Sequence, residues 1–385
     1  MHNKIIHNVI IVGLLMNIFA CTKPVQISIN KDLSLFAFII SDNNLDDHTE
    51  YIEADMVKGL KGCPVGTELF LYIDRMTGTP SLRHLFLLES GQVGVKTISE
   101  YNERCSTSPD VFRDVLSTMI SKSSGRRYGL IYWSHGSGWL PGLNPDIFSR
   151  NSTTRSLGAD GLYSMDIDDM NSVLSMNKAP DFLVLDACFM GSVEVAYSLR
   201  NSTHYLIASP GETLGVGFPY HIVLPELVKG SRESLSHSLD LYLDYCYSDY
   251  YGDGTFSGMA SLIDCTEMDS LASAFKNVVS DSDCIVSPGD IQAFDCSNPH
   301  LYYDLLDYVD AMTEYTLARD AFKRQLEKTV VKKVTTPSIF TQTSGRDSML
   351  TIERFSGLSS YIHGIGAGLD YSYTQTEWYR RCYEN

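Results

Sequence analysis

Positive charge is scarce in this chain: 30 lysines and arginines stand against 47 aspartates and glutamates, a formal net charge of -17 over 385 residues. That balance argues against nucleic acid as a partner, because such binding draws its affinity from cationic side chains meeting phosphates. No CxxC pair and no histidine-rich cluster occurs, so a zinc site and transition-metal chemistry are not expected. The 9 cysteines are odd in number and widely spaced, which does not make a disulfide framework. Cys284 and Cys296 could pair across a loop, though nothing in the sequence requires it. Internal repeats and low-complexity tracts are absent. What remains is an ordinary globular composition, 44% hydrophobic and 20% charged, long enough for one large α/β domain or two modest ones.

The amino terminus has a processing signature. Lys4 precedes the apolar run Val9 to Met16, followed by Ile18-Phe19-Ala20-Cys21. This run is too short to span a bilayer, and its layout is that of a signal peptide with a small residue before the cut. Ile18-Phe19-Ala20-Cys21 resembles the lipobox of bacterial lipoproteins. The expectation is therefore a lipoprotein signal over residues 1–20, a lipidated Cys21 and a tether over 21–30. Such a protein would sit on the bacterial cell envelope, in the periplasm or on the outer surface, held by lipid rather than by a spanning helix.

Apolar runs of strand length recur through the first half of the chain: Leu33 to Ile40, Glu68 to Asp74, Tyr128 to Trp133, Phe182 to Asp186 and Tyr205 to Ser209. Helical periodicity separates them through Tyr51, Met56 and Leu60, and again from Val111 to Ile120, where Ser108-Pro109 reads as a capped start. Residues 140–177 read as a flexible exposed loop rich in proline, glycine and polar side chains, ending in a short helix near Met165 to Met176. Alternating strands and helices imply a largely parallel sheet covered on both faces. Later, Met259 to Asp264 reads as a strand leading into a helix through Leu271. Tyr302 to Lys328 reads as one longer helix, and Gly357 to Ile362 as a late strand.

Two of the apolar runs end in reactive side chains. One finishes Trp133-Ser134-His135-Gly136-Ser137-Gly138, the other Asp186-Ala187-Cys188-Phe189-Met190-Gly191. In an open α/β sheet, chemistry gathers at the carboxyl ends of the strands. A histidine and a cysteine delivered there serve as general base and nucleophile. The flanking glycines let backbone N–H groups reach an oxyanion, with Gly136 and Cys188 as the natural donors. Histidine first, cysteine 53 positions later, is the caspase-type order rather than the papain-type one.

These two motifs resemble the clostripain-like cysteine peptidases of the caspase and gingipain clan. The likeness extends more loosely to Ile40 to Leu45, Glu194 to Tyr197, Ala208 to Glu212, Gly217 to Tyr220, Tyr303 to Leu305 and Gly357 to Ser359. It implies a caspase-like three-layer α/β/α sandwich, with a catalytic core over 31–225 and a less regular part over 226–385 that completes the sheet and cleft. It further implies hydrolysis of protein or peptide substrates after Arg or Lys, with His135 as base and Cys188 as nucleophile. Asp186 would hold the basic side chain, with Glu212 as a second substrate-binding candidate. Self-inhibited precursors in the family are cut between histidine and cysteine, which points to Arg150, with Arg155 the other choice.

Ser134 stands where the family commonly has an acidic or small residue, leaving the imidazole without a carboxylate at that position. Some family members need calcium, but Asp160, Asp166, Asp168 and Asp169 lack EF-hand spacing and read as a solvated acidic face. The expectation is no cofactor, with calcium the sole candidate. The competing reading is a non-catalytic surface lipoprotein that uses the same fold to bind peptides or glycans.

Overall fold

The computed structural model describes residues 32–140, 157–161, 163–248, 256–282, 286–314, 316–342, 348–365 and 368–384. Along the chain it runs β1 (Leu33–Ser41), α1 (Asp46–Leu60), β2 (Glu68–Arg75), β3 (Ser81–Leu87), β4 (Val93–Glu100), α2 (Pro109–Lys122) and β5 (Arg127–Trp133). Then come β6 (Leu157–Asp160), β7 (Tyr163–Met165), α3 (Ile167–Met176), β8 (Phe182–Asp186), α4 (Val193–Ser198) and β9 (Tyr205–Ala208). The second half holds α5 (Tyr220–Leu227), α6 (Arg232–Cys246), β10 (Met259–Asp264), α7 (Met268–Ser280), β11 (Tyr303–Asp304), α8 (Leu305–Met312) and α9 (Thr316–Thr329). It closes with β12 (Val330–Thr335), β13 (Ser338–Thr341), β14 (Ser348–Thr351), β15 (Ser359–Ser360), α10 (Asp370–Thr374) and α11 (Glu377–Tyr383).

Nine strands form one sheet in the order β12-β10-β9-β8-β5-β1-β2-β3-β4. Its middle, β9 through β2, is parallel, and both margins are antiparallel. The sequence pointed to the parallel middle because strands buried on both faces read as unbroken apolar runs. Successive side chains then feed two separate cores. Phe36, Phe38, Leu130, Tyr132, Leu183 and Leu185 enter one, whereas Leu35, Ala37, Ile131, Trp133, Phe182 and Val184 enter the other. The first is covered by α2, α3, α4, α7, α9 and α11 and the second by α1, α5 and α6, which makes the three-layer α/β/α sandwich.

Several sequence expectations need correction. Ser108 occupies the N-cap position of α2, but its hydroxyl caps nothing there; Pro109 alone supplies the start signal. The single helix expected over Tyr302 to Lys328 is β11 followed by two helices, α8 and α9. Asp304 ends β11 and caps α8, its carboxylate accepting the Asp307 N–H at 3.0 Å. The late strand shrinks to the two residues of β15, paired with β11. The loop over 140–177 contains a hairpin, β6–β7, whose first strand is fully buried.

That hairpin is stitched to the carboxyl ends of β1 and β5. Gly158 N–H donates to the His135 carbonyl at 2.8 Å and Gly161 N–H to the Asp42 carbonyl at 3.1 Å. Asn43 Nδ2 reaches the Ala159 carbonyl at 2.6 Å. It also places Asp160 inside the protein, where its carboxylate accepts the Ser106 N–H, so this residue is not part of a solvated acidic face.

Asp160 lies near the buried Asp74. Burial is the main cause that pushes Asp74 up to about 7, with the charges of Asp160, Glu103 and Asp42 adding to it. Burial likewise raises Asp160 to about 6. Each folded-state value lies above the unfolded one, so between about pH 4 and 7 the folded chain binds more protons than the unfolded chain. The stability these two groups contribute is complete below pH 4 and is lost as pH rises through 6 and 7. Wild type should therefore lose more stability from pH 5 to pH 8 than Asp74→Asn does, read as urea midpoints. Equal slopes for the two proteins would contradict this.

Candidate active site

Neighbouring strands of the parallel middle carry both reactive residues. β5 and β8 pair in a register that sets Trp133 opposite Asp186, and His135 and Cys188 each follow two residues later. Both line one cavity of about 440 Å³, together with Asn44, His48, Asp186, Glu212, Thr213, Phe340 and Gln342. Gly136 packs directly on the nucleophile turn. A Cβ at this position would lie 2.6 Å from the Cys188 carbonyl oxygen and 2.9 Å from Ala187 Cβ, so only glycine lets the two strand ends approach this closely.

The turn after Cys188 is sharp. Phe189 has φ of 62°, the only non-glycine positive value among the described residues. Its ring stacks on Tyr302 at 4.1 Å, and the Tyr302 hydroxyl donates to the Ser137 carbonyl at 2.6 Å. One aromatic pair thereby couples the cysteine turn to the histidine turn. Among the described residues, and outside the strand ladders, the amides of Gly136 and Cys188 donate to no backbone carbonyl.

His135 is held from a third element. Its Nε2 lies 2.6 Å from Asn44 Oδ1, on the loop that follows β1. Ser134 acts elsewhere, its hydroxyl donating to the Ile40 carbonyl at 2.6 Å and accepting the Ala159 N–H at 3.2 Å. That hydroxyl joins β1, β5 and β6 and is directed to backbone, not to the imidazole.

Among the described residues, Cys188 Sγ hydrogen-bonds only with Thr213, whose N–H donates to it at 3.3 Å. The thiol in turn lies 3.7 Å from the Thr213 carbonyl and 3.6 Å from its hydroxyl. Burial, reinforced by the charge of Glu212, pushes the thiol up to about 11.

Asp186 is 1% exposed. Its Oδ2 accepts the Phe218 N–H at 2.9 Å and the Tyr220 hydroxyl at 2.8 Å, while its buried Oδ1 has no hydrogen-bond partner among the described residues. The carboxyl stands in the wall between the main cavity and a smaller one of about 30 Å³, lined by Val216, Phe218, Tyr242 and Cys246. Burial raises it to about 6. Gly217, with φ of 65°, passes so close that a Cβ there would meet Oδ2 at 2.4 Å. Glu212 lines the main cavity as well, but its carboxylate accepts the Thr341 hydroxyl and the Gln342 N–H and ties the end of β13 to the cleft wall.

The structure thus brings His135, Gly136, Asp186, Cys188 and Glu212 together. Cys21, Arg150, Arg155 and Cys284 fall outside the described residues. Of the acidic cluster, Asp168 and Asp169 open α3, away from buried Asp160. No three His, Cys, Asp or Glu side chains among the described residues converge as metal ligands do, and no described helix is long and apolar enough to cross a membrane. Sequence reasoning missed Asn44, Thr213, Tyr220 and Tyr302 as site residues. The Asn43-Asn44 turn and the Gly217 to Tyr220 stretch were visible as motifs, but their partners are set by the tertiary fold.

The sequence profile of the clostripain family matches residues 37–363. Clostripain of Hathewaya histolytica is 24% identical over 242 residues, 55% of this chain and 45% of that protein, so the match spans less than half of that relative. A secreted cysteine protease from Bacteroides thetaiotaomicron, solved with an irreversible peptide inhibitor, is 27% identical. It superposes with a TM-score of 0.80, covering 91% of this chain and 98% of its own. An inactive protease zymogen from Parabacteroides distasonis is also 27% identical, with a TM-score of 0.79 and coverage of 91% and 98%.

Proposed function

Given that this chain belongs to the clostripain family, we propose that it is a cysteine endopeptidase that hydrolyses peptide bonds after Arg or Lys. The observation that carries the reading is the β5–β8 register, which delivers His135 and Cys188 from adjacent strands into one cavity lined by the buried Asp186 carboxylate. His135 takes the thiol proton as Sγ attacks the scissile carbonyl. The tetrahedral oxyanion then faces the amides of Gly136 and Cys188. The imidazolium returns its proton to the departing amine, leaving an acyl-enzyme. Water, deprotonated by the same imidazole, releases the acid and restores the thiol. Asp186 Oδ1 receives the substrate's guanidinium or ammonium group. Glu212 shapes the wall beside it.

The same reading assigns self-processing to Arg150, between the two catalytic residues, with no cofactor requirement and calcium as the metal to try first. Cys21 would carry the lipid that holds the mature protein at the cell envelope. Arg-, Lys- and Asp-terminated peptidyl coumarylamides, each with an iodoacetamide control, test the reaction and its specificity, while the denatured mass of the product maps the cut. The expected result is iodoacetamide-sensitive turnover of the Arg and Lys substrates and two fragments with a new carboxyl terminus at Arg150. Absence of turnover in a chain already cut at Arg150 would support the competing reading, a non-catalytic surface lipoprotein that binds peptides or glycans.

A further inference from the structure

We propose that Asn44 is a positioning residue for His135, so that the site works as a cysteine, a histidine and an asparagine amide drawn from three different strand ends. This rests on His135 and Cys188 being the reacting pair. The amide oxygen of Asn44 lies 2.6 Å from His135 Nε2. An amide oxygen only accepts, so Nε2 carries the hydrogen in the neutral ring and Nδ1 carries the lone pair. In this arrangement Nδ1 is the nitrogen that takes the thiol proton. Once the ring is charged, the same amide oxygen continues to accept from Nε2, so the bond strengthens as imidazolium forms.

The loop that presents Asn44 is built for a fixed aim. Asn43 Oδ1 accepts the Leu45 N–H at 2.8 Å, and its Nδ2 holds the Ala159 carbonyl at 2.6 Å and the Ile40 carbonyl at 3.3 Å. Asp46 N–H then returns to the Asn43 carbonyl at 3.1 Å as α1 begins. Asn44 is therefore clamped on both sides while its own side chain reaches toward the imidazole. Ser134 is spent on backbone groups, so it does not compete for the ring. Among the described residues, the titratable groups sharing the cavity with His135 are His48, Asp186, Cys188 and Glu212. They are common to every variant below, so differences between variants isolate position 44.

Asn44→Ala should lower kcat about 10- to 30-fold with KM unchanged within twofold, the loss expected for one hydrogen bond to a group that becomes charged. Asn44→Asp keeps the acceptor and adds a negative charge, so it should retain most of the rate. Its acidic limb of kcat/KM should move to higher pH, whereas that of Asn44→Ala moves to lower pH. A second readout needs no turnover: in ¹⁵N-histidine spectra, with His135 assigned by His135→Gln, the neutral ring should be protonated at Nε2 in wild type and mixed in Asn44→Ala. Wild-type kinetics for Asn44→Ala beside an inactive His135→Gln would overturn the proposal while leaving the reacting pair intact. Equal losses for Asn44→Ala and Asn44→Asp, with lowered melting temperatures and an unchanged tautomer, would also overturn it. Activity persisting in His135→Gln would overturn the reacting pair instead, and the tautomer readout would still judge Asn44.

Discussion

Replacing Cys188 by alanine is expected to reduce peptide hydrolysis to background, a loss on the order of 10⁴-fold or more. Burial and the charge of Glu212 push the thiol up to about 11, so at neutral pH it rests protonated and needs a base to take its proton. Only the thiolate attacks a carbonyl, so the reaction depends on proton transfer to His135 as Sγ engages the substrate. His135→Ala should therefore fall nearly as far as Cys188→Ala, and the double variant little further, because the two residues act as one unit. Urea midpoints should stay near wild type for Cys188→Ala, since among the described residues the thiol's hydrogen bonds are weak and confined to Thr213. Initial rates for the three variants decide the matter. Retention of even a few per cent of activity in Cys188→Ala would place the nucleophile elsewhere.

Asp186→Asn should separate specificity from folding. The amide can still accept the Phe218 N–H and the Tyr220 hydroxyl through its oxygen, and a buried carboxyl that burial itself disfavours is removed. Stability should be unchanged or slightly higher at neutral pH. Turnover of Arg and Lys substrates should fall by about 2–5 kcal/mol in kcat/KM, roughly 30- to several-thousandfold, the usual consequence of leaving a desolvated cation without its partner. Wild type should show the same effect through pH. As pH drops through about 6, Asp186 gains a proton and kcat/KM for a basic substrate falls more steeply than for a neutral one. If Asp186→Asn leaves the ratio of basic to neutral substrate turnover unchanged, the carboxylate does not read the substrate.

How much of this was legible in the sequence follows from burial. The strands β1, β2, β5, β8, β9 and β10 were visible because they are apolar along their whole length, a pattern that survives without knowledge of their neighbours. The antiparallel margin β3–β4 was not, since β4 (VGVKTISE) is half in solvent and carries no distinguishing period. The break between α8 and α9 was hidden because helical spacing continues on both sides of Thr313. At the site, His135 and Cys188 stood out because their chemistry is local: a strand, a glycine, a reactive atom. Asn44 did not, because its bond to the imidazole comes from β1 lying beside β5, a relation that only the sheet order supplies. Asp186 was visible as the last residue of the nucleophile's strand, but its burial and its bonds to Phe218 and Tyr220 depend on a loop about thirty residues downstream.

The β5–β8 ladder has one more consequence. Any cut between 141 and 156 leaves β1 to β5 on one polypeptide and β6 to β15 on the other, with His135 on the first and Cys188 on the second. The seam between the two pieces is then the middle of a nine-stranded sheet, sealed by both hydrophobic cores, rather than a surface contact. Such a pair does not separate on dilution, because parting it exposes the interior of the molecule. For the severed protein, dissociation and global unfolding become a single event, and its lifetime as a folded pair is set by the stability of the sheet.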